Sequence, residues 1–136
     1  MKNNNTIIIG AGRLGGTIAR SMNKISNIVV VDRNREKIGR LGDFSGFVEV
    51  GDATDRALLE KNGIRTANRV IAVTDDDNTN IFLADLCTNI YHVPQVYCRL
   101  KDSRKRALVD ERVKCICPFD LSLQDFESAR EKEVDE

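Results

Sequence analysis

The sequence predicts an α/β domain, doubly wound, with a mostly parallel six-stranded sheet and helices on both faces. Three observations predict it. Short β-branched runs alternate with longer stretches whose apolar residues recur at three and four. The spacing between runs suits the crossovers that parallel strands need, where hairpins would need only a tight turn. A glycine-rich turn, Gly10-Ala11-Gly12-Arg13-Leu14-Gly15, joins the first run directly to the first helical stretch.

The elements follow in order. Thr6 to Ile9 is the first strand, and Leu14, Ile18, Met22 and Ile25 mark one face of the helix after it. Ile28 to Asp32 and Phe47 to Val50 are the second and third strands, and Ala57, Leu58 and Leu59 are part of a second helical face. Asp52 or Thr54 can cap the helix that Asp55 opens, and Gly63 can close it in the left-handed conformation. The fourth strand is Arg69 to Val73, with Phe82, Leu86, Cys87 and Ile90 as a third helical face. Pro94 cannot extend that helix. Gln95 to Arg99 and Lys114 to Ile116 complete the six strands, with a helix expected between every pair.

Composition narrows the function. The 136 residues suffice for one domain, and 21 Lys+Arg against 21 Asp+Glu leave a net charge of 0. No overall field draws the chain to nucleic acid or to an anionic membrane. Apolar runs such as Ile28 to Val31 fall far short of the roughly 18–20 residues of a membrane span, so no direct membrane insertion is expected. The first residues, Met-Lys-Asn-Asn-Asn-Thr, carry no secretion signal, which points to the cytoplasm.

Cys87, Cys98, Cys115 and Cys117 form no CxxC, and strand residues two apart share a face, so reduced, buried thiols are expected. His92, with no second histidine beside it, reads as a surface-loop residue, and no metal site is expected. Residues 121–136 read as an acidic helix or a fraying tail after a nucleotide-binding unit at residues 1–120.

The glycine turn carries the chemistry. Gly10 allows the tight turn, Gly12 lets a diphosphate approach the backbone, and Gly15 lets helix and sheet pack closely. Amides at the helix start then face the anion. Asp32, 22 positions beyond Gly10, ends the second strand where an acid accepts hydrogen bonds from ribose hydroxyls. It would repel a 2′-phosphate despite the adjacent Arg33, so a nucleotide with a free 2′-hydroxyl is expected. The fold is therefore Rossmann-like. Arg13 at the helix mouth can reach a terminal phosphate. Gly51 to Thr54 form a strand-to-helix turn on the same edge, as do Thr74 to Asp77. Acids at a helix start are also stabilised by its dipole without any ligand, so Thr74, Asp75, Asp76 and Asp77 keep both readings.

Four segments, GAGRLGG (Gly10 to Gly16), Val30-Val31-Asp32, Gly51-Asp52-Ala53-Thr54 and VIAVTDD (Val70 to Asp76), stand in a familiar order and spacing. They resemble the N-terminal nucleotide-binding domain of the TrkA/KtrA proteins, the domain that regulates conductance of potassium (RCK-N, or KTN). The resemblance covers roughly residues 5 to 120. It implies a regulatory subunit without catalytic residues, binding ADP, ATP, AMP or NAD/NADH. It further implies a homodimer or larger ring acting on a membrane potassium channel or transporter subunit, peripheral at the inner membrane through that partner.

By motif position, the resemblance gives Asp32 the ribose, lines the adenine with Asp52, Ala53 and Thr54, and directs Arg13 and Arg99 to phosphates. Two departures stand out. Pro118 is followed by Phe119 and only then by Asp120, where the family often has an acid next to the proline. The family's usual C-terminal ligand-binding domain is absent from these residues, as in a trimmed chain or a lone module. Two rival readings remain, an NAD-dependent oxidoreductase and a structural interaction domain with a vestigial pocket. The first lacks residues for a substrate domain, and the second predicts no nucleotide affinity.

Overall fold

A computed structural model describes residues 4–42 and 44–133. Residues 1–3 of the expected domain and 134–136 of the expected tail lie outside the described residues. The strands β1 (Asn5–Ile9), β2 (Asn27–Asp32), β3 (Phe47–Val50), β4 (Arg69–Ala72), β5 (Gln95–Arg99) and β6 (Lys114–Ile116) form one sheet ordered β3-β2-β1-β4-β5-β6. Every neighbouring pair is parallel, so the expected mostly parallel sheet is parallel throughout. The chain winds outward from β1 to β3, then crosses to β4 and winds the other way. That reversal leaves a crevice beside β1.

A parallel sheet covered on both faces needs apolar residues at successive positions rather than alternate ones, which is why β1 and β2 read Ile-Ile-Ile and Val-Val-Val. Ile7, Ile9, Val31, Val70 and Ala72 pack on one face with Leu59, Leu83 and Ala84 from α3 (Arg56–Lys61) and α4 (Asp77–Asp85). Ile8, Val30, Ile71 and Val73 pack on the other with Leu14, Ile18, Met22 and Ile38 from α1 (Arg13–Met22) and α2 (Arg35–Gly39). Each fully enclosed Leu or Ile contributes about 1.5–3 kcal/mol.

Several expected details change. Ile25 lies beyond the end of α1 and is 64% exposed, because the chain leaves the helix at Met22. Ala57 is exposed, and only Leu58 and Leu59 of its trio turn inward. Asp55 itself caps α3 by accepting from the Ala57 N–H at 3.0 Å, while Asp52 and Thr54 bond to each other in the preceding turn. Gly63, at φ +88°, follows α3 as expected.

The stripe Phe82, Leu86, Cys87, Ile90 is divided. Leu86 and Cys87 are buried, whereas Phe82 and Ile90 are 48% and 52% exposed. The inward face of α4 and of the turn that continues it is Asn80, Leu83, Ala84 and Cys87, a helical spacing that a polar residue disguises. A π-helical turn at Leu86–Ile90, closed by Tyr91 N–H donating to the Leu86 carbonyl at 3.1 Å, then carries Ile90 outward. A helix does not separate every strand pair, since only a 3-10 turn, Ser103–Leu108, links β5 to β6.

The last helix, α5 (Pro118–Glu131), begins just before the expected boundary at residue 120, with its proline in the first turn. Every described residue from Leu121 onward is exposed, and Phe119, Leu121, Leu123 and Phe126 present their apolar side chains to solvent. The four thiols are free, with Cys115 half-buried and the others buried. Burial pushes the Cys87 and Cys98 thiols up to about 12, which keeps them protonated and unreactive. His92 is an exposed residue ahead of β5, as expected, and adopts φ 53°.

Candidate functional site

A cavity of about 580 Å³ opens at the carboxyl ends of β1 to β5, where the winding reverses. Its volume suits a nucleotide-sized ligand. Gly10 and Gly12 line it from the turn after β1, and Asp32 and Arg33 from the end of β2. Asp52, Ala53 and Thr54 follow β3, Thr74 and Asp75 follow β4, and Arg99 ends β5.

Close packing shapes the glycine turn. Gly10 adopts φ +114°, and a Cβ there would lie 2.6 Å from the Val73 carbonyl oxygen. A Cβ on Gly15 would overlap the Gly10 carbonyl oxygen itself, which is how α1 starts so close to β1. Gly12 differs. Nothing lies within 4 Å of a Cβ built there, so the backbone at the start of α1 faces open space on the cavity side.

Asp32 holds this turn as well as facing the cavity. Its Oδ2 accepts from the Ala11 N–H at 2.7 Å and its Oδ1 from the Asn34 N–H at 2.7 Å. One carboxylate thus ties the β1–α1 turn to the start of α2, while each oxygen keeps a further lone pair.

The remaining expected residues of the turn stand elsewhere. Ala11 is buried, Leu14 packs in the core beneath α1, and Gly15 is enclosed. Arg13 is exposed at the helix mouth and outside the cavity lining. Only a change of rotamer or a ligand extending past Gly12 brings it to a phosphate.

Asp52 is held below its usual range first by the Thr54 hydroxyl, at 2.7 Å, and then by the Thr54 N–H, at 2.9 Å. Asp76 is lowered mainly by the Thr79 hydroxyl at 2.8 Å and also caps α4 through the Asn78 N–H. Both therefore stay ionised near neutral pH. Among the described residues Arg99 reaches only the Thr74 carbonyl, through Nη1 at 3.4 Å, and its Nε is buried without a partner. An arginine in the wall of a cavity suits an anionic ligand.

Sequence reasoning missed Asn34, Lys37 and Thr79 as lining residues. Lys37 lies a turn into α2, too far along the chain from Asp32 for a strand-end motif to flag it. It also missed Asn80, fully buried beneath the site. The signal was present, since Asn80 occupies the inward position three and four residues before Leu83 and Ala84.

No histidine, cysteine or tyrosine lines the cavity among the described residues. Tyr91 is engaged by Arg56 and Glu60 on another part of the fold, at 3.0 and 2.9 Å. No helix among the described residues is long and apolar enough to cross a membrane.

The family model of the TrkA-N domain matches residues 6–115. The chain belongs to the TrkA-N domain family. It is 30% identical over 117 residues to a Trk system potassium uptake protein TrkA homolog of Pyrococcus horikoshii, covering 85% of this chain and 51% of that protein. The TrkA-N chain thus spans about half the length of that relative. Its fold resembles the GsuK channel bound to NAD at TM-score 0.80 and 24% identity, covering 96% of this chain and 24% of that one. It likewise resembles the AMP-bound C-terminal domain of Shewanella denitrificans Kef at TM-score 0.74 and 21% identity, covering 97% of this chain and 84% of that one.

Proposed function

We propose that this chain is the nucleotide-binding regulatory unit of a Trk- or Ktr-type potassium transport system and that it takes an adenine nucleotide in the cavity at the sheet reversal. One observation carries the reading. Open backbone at Gly12, the Asp32 carboxylate and the Arg99 side chain line a single cavity. Asp32 takes the ribose, the turn Asp52 to Thr54 flanks the base, and the amides at the start of α1 with Arg99 meet the phosphates. Names of relatives, for potassium uptake, and of structural neighbours bound to NAD and AMP support the same reading.

The lining charges bear on which nucleotide fits. Arg33, Lys37 and Arg99 face Asp32, Asp52, Asp75 and Asp76, so the cavity has no cationic excess for a bare triphosphate. AMP, ADP and NADH are therefore expected to raise the melting temperature more than ATP free of divalent cation. Saturation at about 100 times Kd adds roughly 2.7 kcal/mol to stability. A melting temperature unmoved by all four nucleotides rules out the reading.

Regulation follows from unequal affinity of the ligand for two arrangements of subunits, since binding shifts an equilibrium only by that difference. The exposed apolar residues of α5 supply a surface for assembly with a second copy. Sedimentation equilibrium is expected to return a dimer or a larger ring, and replacing Leu123 with aspartate to shift it towards monomer. A monomeric mass at high concentration counts against assembly through this chain. The membrane transport subunit is then the partner that reads the nucleotide state, and no chemical turnover is part of the role.

A further inference from the structure

The ends of β4 and β5 are not joined by the sheet's own ladder. Their last paired residues are Ala72 and Cys98, and the chain beyond each, Thr74 and Arg99, turns into the cavity wall. The gap is bridged by one side chain from α4. The Asn80 Oδ1 accepts from the Thr74 N–H at 3.0 Å and from the Thr74 hydroxyl at 2.7 Å. Its Nδ2 donates to the Thr74 carbonyl at 3.1 Å and to the Arg99 carbonyl at 3.0 Å. All four hydrogen bonds of a carboxamide are used, in a residue with 0% exposure.

We infer that Asn80 is a positioning residue for the phosphate end of the site, acting through Arg99. This deepens the nucleotide reading above and rests on it. Among the described residues the Arg99 side chain has no carboxylate partner to hold it, only the Thr74 carbonyl at 3.4 Å. Asn80 fixes both that carbonyl and the backbone from which the guanidinium springs. A half-buried arginine with an unsatisfied Nε is aimed by whatever fixes these two points.

A neighbouring tie braces the same region. Buried Asp77 accepts from the Lys101 and Asp102 N–H groups at 2.8 and 3.0 Å, so α4 also grips the chain just past Arg99. Adenosine, which lacks phosphate, draws on Asp32 and the turn after β3. Those residues make no hydrogen bond to Asn80.

Asn80→Asp keeps the shape and the acceptor but removes both donations, and sets a carboxylate where it competes for Arg99. Calorimetric titration of the full chain is expected to give an ADP affinity about ten-fold weaker, on the scale of hydrogen bonds to charged groups. Adenosine affinity is expected to change less than about two-fold, a difference smaller than one hydrogen bond. Arg99→Gln should give the same split, and the double variant should lose no more than Arg99→Gln alone, because the two act as one unit.

Equal losses for adenosine and ADP, or losses that add in the double variant, overturn the inference and leave the nucleotide reading intact. A wild-type chain that binds neither ligand overturns both. Should Asn80→Asp fail to fold, the wild-type Asn80 carboxamide signals in a ¹⁵N–¹H spectrum serve instead. They are expected to move with ADP and hold still with adenosine, and the reverse refutes the assignment.

Discussion

Asp32→Ala is expected to weaken binding of both ADP and NADH by one to two orders of magnitude, about 1.5–3 kcal/mol, in a calorimetric titration. Two losses combine. The ribose hydroxyls lose their charged acceptor, and the Ala11 and Asn34 N–H groups lose the oxygens that hold the glycine turn against α2. A turn held by one carboxylate becomes mobile without it, so part of the ordering entropy must then be recovered on binding.

Asp32→Asn separates the two contributions. It keeps an oxygen for one backbone N–H but loses the charge, so it should fall between wild type and alanine. Because part of the loss lies at the ribose, adenosine should also bind clearly more weakly, unlike the pattern from substitution at Asn80. An Asp32→Ala protein with unaltered affinity means that the sugar binds elsewhere.

Gly15→Ala and Gly12→Ala are expected to fail in different assays. At Gly15 the new methyl group meets the Gly10 carbonyl oxygen, and backbone cannot move aside by changing rotamer. The start of α1 must back away from β1. Overpacking of this kind costs about 1–3 kcal/mol, and a chain of this size should melt several degrees lower.

At Gly12 the methyl group enters open space, so the unfolding free energy should stay within about 0.5 kcal/mol of wild type. Nucleotide affinity should nevertheless fall, because the methyl group occupies the approach to the helix amides. Thermal melts and titrations on the two variants test both halves. Loss of stability in Gly12→Ala with full nucleotide affinity contradicts the assignment of roles.

The legibility of the site follows the range of the interactions that build it. Gly10, Gly12 and Asp32 could be read because a strand, a turn and a helix start are consecutive in the chain, and the second strand ends a fixed distance on. The turn at Asp52 to Thr54 and the edge at Thr74 and Asp75 follow from the same rule, as each ends a parallel strand. Lys37 was not legible. It enters the cavity from a five-residue helix whose angle depends on packing of Ile38 beneath it.

Periodicity reported the existence of α4 but misplaced its face. A buried Asn80 breaks the apolar pattern, and the π-helical turn at Leu86–Ile90 breaks the period itself. Arg13 shows the converse limit. Its place in the motif puts it at the helix mouth, whereas its side chain leans to solvent outside the cavity.

By itself the sequence determined the fold class, the order of its elements and the strand ends from which a ligand site is built, since these depend on short-range spacing and on which residues must leave water. Tertiary structure alone decided which side chains converge there. Asn80 joining two strand ends, Asp32 clasping the glycine turn and Arg99 left with an unsatisfied nitrogen arise only when segments 19 or more residues apart are folded together. Hydrogen bonds reach about 3 Å, and no one-dimensional pattern specifies distances of that order between remote parts of a chain.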